Sequence, residues 1–410
     1  MSGSTLTGRP MSQGFSKNDD WDFEIRYALG EARAGATDPG EVLAAVDGLK
    51  KGDAAGWKAA WTDLARRVLE SARSAAPGPS AASAYLRASS YFARAVNAAA
   101  SEEDDAELVS LFREHRAAWE SFLDASGLAV ERFTIPLPGA DVPMPAWLLS
   151  PAAAEGPRPV VIGVNGSDGS LSSMWSAIAK PALDRDYRVL LFDGPGQQAM
   201  LFEHSVPFRA DWGPVLTAVV DAIAGRNDVD SARIAAYAVS QGGYWLPQAL
   251  ATEHRVAAAI ADPGVVDVSR SWTAHLPASL MKLFHAGERE KFDRDMALAL
   301  KFSPETARTL RFRSRPFLAD GPFDTLTAVM ELNSRDVLPH VTTPLFVADP
   351  EDEQFWPGQP AELAALVPNA ELVRFTAAEG ANFHCEPLGR AVFEQRALDW
   401  LDRTLGRQSS

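Results

Sequence analysis

The sequence predicts an α/β protein: a mostly parallel sheet with helices on both faces, a helical region in front of it and a helical insertion between two strands. Short apolar runs alternate with helix-period stretches from about residue 130 onward. Residues 21–128 carry helical period alone, and a second such stretch, about 268–336, interrupts the later apolar runs. Continuous apolar strands alternating with helices are the signature of a sheet buried on both faces.

The elements follow in order. Residues 1–20 are polar and predict a flexible tail. Residues 21–128 predict an N-terminal helical lid domain. Asp38-Pro39-Gly40-Glu41 is a helix start, with Pro39 at an early helical position. Trp57, Trp61, Leu64, Ala65 and Val68 recur at steps of three and four, as do Tyr85, Ala88, Phe92 and Val96, and then Leu108, Phe112, His115, Trp119 and Phe122. These apolar stripes read as helix–helix core. Ala75–Ser80 is a connector, and Ser101–Asp105 an acidic helix start favoured by the dipole. Residues 129–410 predict the sheet domain. Its strands are expected at 130–137, 144–149, 160–164, 187–192, 234–237, 257–260, 344–348 and 371–375, with the insertion over their carboxyl ends.

Composition narrows the function. Of 410 residues, 46% are hydrophobic, enough for a sizeable core. The 39 basic and 54 acidic residues give a net charge of −15, which disfavours nucleic acid and anionic membranes as partners. Cys385 is the one cysteine, so neither an intrachain disulfide nor a cysteine-based zinc site is expected. No membrane span or leader is expected, and the single cysteine fits a cytoplasmic protein, though a disulfide-free secreted one fits as well. The expected partner is a small molecule, with no metal or cofactor.

The sharpest motif is Ala238-Val239-Ser240-Gln241-Gly242-Gly243, between an apolar strand and a helix-period segment. This is the setting of a nucleophile elbow, in which small neighbours let strand and helix backbones approach while a serine is raised above the sheet. A serine hydroxyl needs a base, and the base an orienting acid. Of seven histidines, His384 alone follows the last expected strand. The acid is expected in Asp349-Pro350-Glu351-Asp352-Glu353, with Asp352 the first choice and Asp349 the second. That run lacks the spacing of a calcium loop. Oxyanion donors are expected from the Gln241 amide and from Gly166 or Ser167 in Asn165-Gly166-Ser167-Asp168-Gly169. Trp175, Trp212, Trp245, Trp272, Phe355 and Trp356 lie on segments able to face a pocket, though each is individually a candidate for core. Phe192–Ala199 contains Gly-x-Gly-x-x-Ala, the shape of a dinucleotide fingerprint, but neither its place in the strand order nor the acid about 20 residues on agrees with that use.

In this order Val164–Gly169, Asp193-Gly194-Pro195-Gly196-Gln197, Ser240–Gly243, Asp352-Glu353 and His384 resemble the α/β-hydrolases. The chain is most similar to the family of 2,6-dihydroxypseudooxynicotine hydrolase, which includes esterase-like proteins and fungal enzymes that shorten polyketides. The resemblance implies a helical domain packed over the catalytic sheet, often a homodimer, and hydrolysis of a carbon–carbon bond beside a ketone or of an ester. By position it implies a triad of Ser240, Asp352 and His384. Ala238 stands where a first glycine is usual, and Gln198 where relatives often have glycine. The expected substrate is a bulky aromatic or polyketide-like molecule. The alternatives are acyl transfer, cyclisation or elimination by the same triad, or a binding protein on a hydrolase frame.

Overall fold

The computed structural model describes residues 14–152 and 156–407. The expected tail, 1–20, overlaps the first helix. Residues 1–13 lie outside the described residues, and the first helix, α1 (Asp19–Glu31), is already under way before residue 21, with the Asn18 side chain accepting the Trp21 N–H at 3.0 Å. Four more helices follow: α2 (Pro39–Val46), α3 (Ala54–Ser74), α4 (Pro79–Ala100) and α5 (Asp105–Ala125). Asp38, Asp53 and Asp104 cap α2, α3 and α5, each taking a backbone N–H that the helix itself leaves unpaired. The stripes of α3 and α4 and the first half of α5 close on one another around Trp57, Trp61, Tyr91, Phe92 and Phe112. Further along α5 the same stripe changes partner: Trp119 and Phe122 pack against the layer that covers the sheet.

The sheet has eight strands: β1 (Ala129–Ile135), β2 (Met144–Ser150), β3 (Arg158–Val164), β4 (Arg188–Phe192), β5 (Val229–Val239), β6 (Ala258–Asp262), β7 (Leu345–Pro350) and β8 (Ala370–Phe375). Their order is β1-β2-β4-β3-β5-β6-β7-β8; β2 is antiparallel to both β1 and β4, and the other pairs are parallel. β5 starts well before the apolar run 234–237. Its first half is polar and pairs irregularly with β3, so hydrophobicity did not mark it.

The remaining helices are α6 (Leu171–Met174), α7 (Lys180–Leu183), α8 (Gln198–Phe202), α9 (Gly213–Ala224), α10 (Gly242–Leu250), α11 (Ser269–Thr273), α12 (Ala278–His285), α13 (Arg289–Lys301), α14 (Pro304–Ser314), α15 (Pro322–Met330), α16 (Gln359–Leu366) and α17 (Arg390–Thr404). Alternate strand residues go to opposite faces. Val160, Ile162, Ile234, Ala236 and Leu345 meet α9, α10 and α16, whereas Val161, Val189, Ala235, Tyr237 and Phe346 meet α17 and the 171–183 segment. Helices α11–α15 form the insertion between β6 and β7, with a small core of Leu280, Phe292, Met296 and Leu326.

The helical front is tied to both. Asn18 Nδ2 donates to Glu305 Oε1 of α14 at 2.6 Å, and Arg315, just after α14, donates to the carbonyls of Ala100 and Glu102 at 3.0 Å. Arg116 of α5 donates to the buried Asp193 carboxylate after β4 at 2.5 Å and lies over the Trp147 ring. Burial raises the Asp193 pKa and Arg116 opposes the rise. Among the described residues, no helix is long and apolar enough to cross a membrane. Arg116→Ala strands the Asp193 charge inside the protein and should cost about 3–5 kcal/mol, read from the shift of the urea midpoint.

Candidate active site

Ser240 follows the last residue of β5 and has φ of +56°, a left-handed conformation that a non-glycine residue adopts only when its surroundings enforce it. The enforcement is visible. Its N–H donates to the Asp262 carbonyl of the neighbouring strand at 2.6 Å, and α10 begins two residues later. A Cβ at Gly242 would lie 2.9 Å from the carbonyl oxygens of Val164 and Asn165, and one at Gly243 only 1.9 Å from the Pro263 carbonyl. Pro247, inside α10, has no N–H for the Gly243 carbonyl, which accepts the Val265 N–H at 3.1 Å instead. Ala238 is fully buried within the strand and is not among the positive-φ positions, so a methyl group fits where a glycine is usual.

His384 lies in the loop between β8 and α17. Its Nε2 is 2.9 Å from Ser240 Oγ, and its Nδ1 is 2.9 and 2.8 Å from the two oxygens of Glu353. The acid beside the histidine is therefore Glu353 and not Asp352. Asp352 does other work: its backbone N–H donates to the Asn382 carbonyl at 2.8 Å, and its carboxylate accepts the Asn382 amide at 2.6 Å, tying the two loops together. Asp349, the second choice, is in β7 and pairs with Arg374 at 3.4 Å. Glu353 is one residue beyond Asp352 and one methylene longer, and it reaches the imidazole. Its Oε1 also accepts the N–H groups of Phe355 and Trp356 at 2.9 and 3.1 Å, which compensates for burying the charge. A carboxylate can only accept, so the Nδ1 of a neutral imidazole carries the hydrogen and Nε2 presents its lone pair to the serine hydroxyl. Gln354 accepts the His384 backbone N–H at 2.8 Å and fixes the loop itself.

The loop after β3 lies against the elbow: a Cβ at Gly166 would be 3.0 Å from the Ser240 Cβ. The Gly166 N–H already donates to Asn165 Oδ1 at 2.9 Å, whereas the Ser167 and Gln241 N–H groups have no acceptor among the described residues. Gln197 donates to the carbonyls of Asn165 and Gly166 at 2.9 and 3.0 Å, so the Asp-Gly-Pro-Gly-Gln segment braces this loop. Gln198 has φ of +41° and donates to the Gly169 carbonyl at 2.9 Å; that backbone conformation is one glycine adopts freely.

The aromatic candidates separate. Phe355 and Trp356 surround the imidazole, with ring centroids 4.7 and 5.6 Å from it. Trp212 and Trp245 are buried, stacked on one another at 4.9 Å, and belong to the core under the sheet. Trp175 packs on Trp119 and Phe122 and is likewise core. Trp272 meets Phe317 edge-on at 5.7 Å beside the insertion. Phe23 of α1, which the sequence did not single out, stands 6.2 Å from the His384 ring and 5.8 Å from Phe355. His115 is held by Ser89 within the helical front, and burial lowers its pKa to about 3, so it packs as a neutral ring. A cavity of about 720 Å³ between α3 and α5, lined by Leu69, Tyr85 and Arg113, includes none of Ser240, Glu353 and His384 in its walls.

No protein-family model matches the chain. It is 31% identical over 288 residues to the alpha/beta hydrolase gkaG of Penicillium citrinum, covering 67% of this chain and 66% of that one. It is 30% identical over 274 residues to the 20-hydroxy-prefusarin hydrolase FUS2 of Gibberella moniliformis, covering 64% of each. The chain spans just under two thirds of the length of the curated relatives it matches. The solved structure of 2,6-dihydroxy-pseudo-oxynicotine hydrolase superposes with a TM-score of 0.69 over 92% of this chain and 96% of its own, at 22% identity, a likeness of fold. The chain has the fold of the α/β-hydrolases and is similar in sequence to proteins that carry that name.

Gly243→Ala drives a methyl group into the Pro263 carbonyl. It should lower stability by about 1–3 kcal/mol in chemical denaturation, through overpacking of the elbow.

Proposed function

We propose that this chain is a serine hydrolase that opens a carbon–carbon bond beside a ketone, or an ester, in a bulky aromatic or polyketide-like small molecule. The observation that carries the reading is the unbroken hydrogen-bond relay from Ser240 Oγ through the His384 ring to Glu353. As Ser240 Oγ forms a bond to the substrate carbonyl carbon, its proton passes to His384 Nε2, and the carbonyl electron pair moves to oxygen. Glu353 holds the ring and stabilises the imidazolium. The N–H groups of Gln241 and Ser167 receive the oxyanion. Collapse breaks the bond to the leaving group, which takes the proton from His384. For an ester the leaving atom is oxygen. For a ketone it is carbon, and its electron pair needs a neighbouring carbonyl or electron-poor ring. Water then gives a proton to His384 and its oxygen to the acyl-serine, releasing the acid and restoring Ser240.

The names of relatives support a hydrolase: gkaG is called an alpha/beta hydrolase and FUS2 a 20-hydroxy-prefusarin hydrolase. The aromatic groups beside His384, contributed by α1 and the loop after β7, suit a ligand with flat or extended apolar surface. The helical front acts in this reading as a roof.

The deciding experiment is mass spectrometry of products from aryl ketones, β-diketones and esters. Hydrolysis adds one water across the cleaved bond; products that conserve substrate mass, as in cyclisation, overturn the hydrolytic reading. Ser240→Ala should remain folded by circular dichroism and lose turnover and labelling by an active-serine phosphonate probe. The two acids separate by kinetics: Glu353→Gln should lose on the order of 10⁴-fold in kcat, while Asp352→Asn stays within about tenfold. The reverse order would return the role to Asp352.

A further inference from the structure

Behind Ser240 and His384 lies a polar cluster that this chemistry does not use. The Asp262 backbone carbonyl accepts the Ser240 N–H at 2.6 Å and the Cys385 thiol at 3.3 Å. Asp262 Oδ2 accepts from the Tyr237 hydroxyl at 2.8 Å and from Arg390 Nη1 at 2.9 Å. One residue therefore touches the backbone of the nucleophile and the Cys385 side chain of the turn that carries His384. That turn continues through Cys385 and Glu386, whose φ values of +58° and +43° are left-handed in succession. Strain of this kind persists only where the surroundings over-determine it.

Glu386 is wholly buried, lies against the Asp262 carboxylate and has Arg390 Nη1 at 3.6 Å. Neither oxygen of Glu386, nor Asp262 Oδ1, has a donor among the described residues. Two ionised carboxylates would leave these acceptors orphaned and set two negative charges against one guanidinium in a buried site. A hydrogen on one carboxyl donates to the other and matches the remaining charge to Arg390.

We propose that Glu386 and Asp262 share one proton and that this pair, clamped by Arg390, is a positioning device that holds the Ser240 elbow and the His384 turn in register. The positioning role rests on the serine-hydrolase reading; the shared proton does not. The groups facing Glu386 are Asp262 of β6, Arg390 of α17, Glu353 and Cys385, while Tyr237 of β5 and Tyr27 of α1 face Asp262 and Arg390. Burial pushes Tyr27, Tyr237 and Cys385 well above their ordinary values, so they keep their protons across the neutral range. Burial first, and the Asp262 carboxylate second, also hold the Glu386 proton far above the ordinary value of 4.5. The unfolded chain releases this proton just above that value, so unfolding frees a proton over the interval. The stability linked to it is whole below the unfolded pKa and declines as pH rises toward the folded one.

The test compares wild type, Glu386→Gln and Glu386→Leu. The glutamine amide supplies a donor that does not titrate. The melting temperature of Glu386→Gln minus that of wild type should widen as pH rises above the ordinary glutamate value of 4.5. A constant difference overturns the shared proton, whatever reaction the protein performs. Asp262→Asn is the reciprocal variant: its amide donates to Glu386, and its melting temperature should lose the same pH slope, whereas an unchanged slope overturns the proposal. For positioning, Glu386→Gln should keep the kcat of wild type at neutral pH, and Glu386→Leu should lose about 10²-fold in kcat with KM unchanged. Equal kcat in the two variants overturns the positioning role.

Discussion

The close approach of backbones at the Ser240 elbow is the constraint on which the site depends. A left-handed serine sits between a central strand and a helix that starts against the carbonyls of Val164, Asn165 and Pro263. Its amide is held by Asp262 of the next strand. Every other component is placed relative to this point. The loop after β3 reaches it because residue 166 has no side chain, and Gln197 holds that loop from the far side. Small residues are thus required here by packing before any chemistry is considered.

The second dependence is electrostatic. The imidazole of His384, the Glu353 carboxylate and the cluster of Asp262, Glu386 and Arg390 are all buried, and a buried charge is tolerable only with partners. Glu353 has the ring and two backbone N–H groups; Asp262 has a tyrosine and an arginine. These partners come from β5, from α17 and from the loops after β7 and β8, so the polar groups of the site tie those loops and α17 to the carboxyl ends of central strands. Such a network holds a single geometry because breaking any link leaves a charge exposed to apolar surroundings.

The helical front belongs to the same argument. α1 brings Phe23 to the His384 ring, lays Arg26 over Phe383, and packs so closely that a Cβ at Gly30 would be 1.6 Å from the Pro387 carbonyl. The loop that carries the histidine is therefore pressed from the front by α1 and from behind by Arg390. Contacts of α14 with Asn18 and of Arg315 with the end of α4 join the insertion to the front above the same loop.

The order and kind of elements, the strand–serine–helix elbow and the histidine after the last strand were legible in the sequence, because each is written in local patterns: apolar period, small residues at a tight turn, position along the chain. The acid was not, since Asp349, Glu351, Asp352 and Glu353 are alike as carboxylates, and which of them meets the imidazole depends on how β7 ends and how the Asn382 loop docks on it. The tryptophans were ambiguous for a related reason. Hydrophobicity shows that a ring is to be buried, but not whether it meets other core rings, like Trp212 and Trp175, or the His384 imidazole, like Trp356. Phe23 and Glu386 are functional candidates only by juxtaposition with residues hundreds of positions away. Contacts across such separations are decided by tertiary packing, which no local pattern encodes.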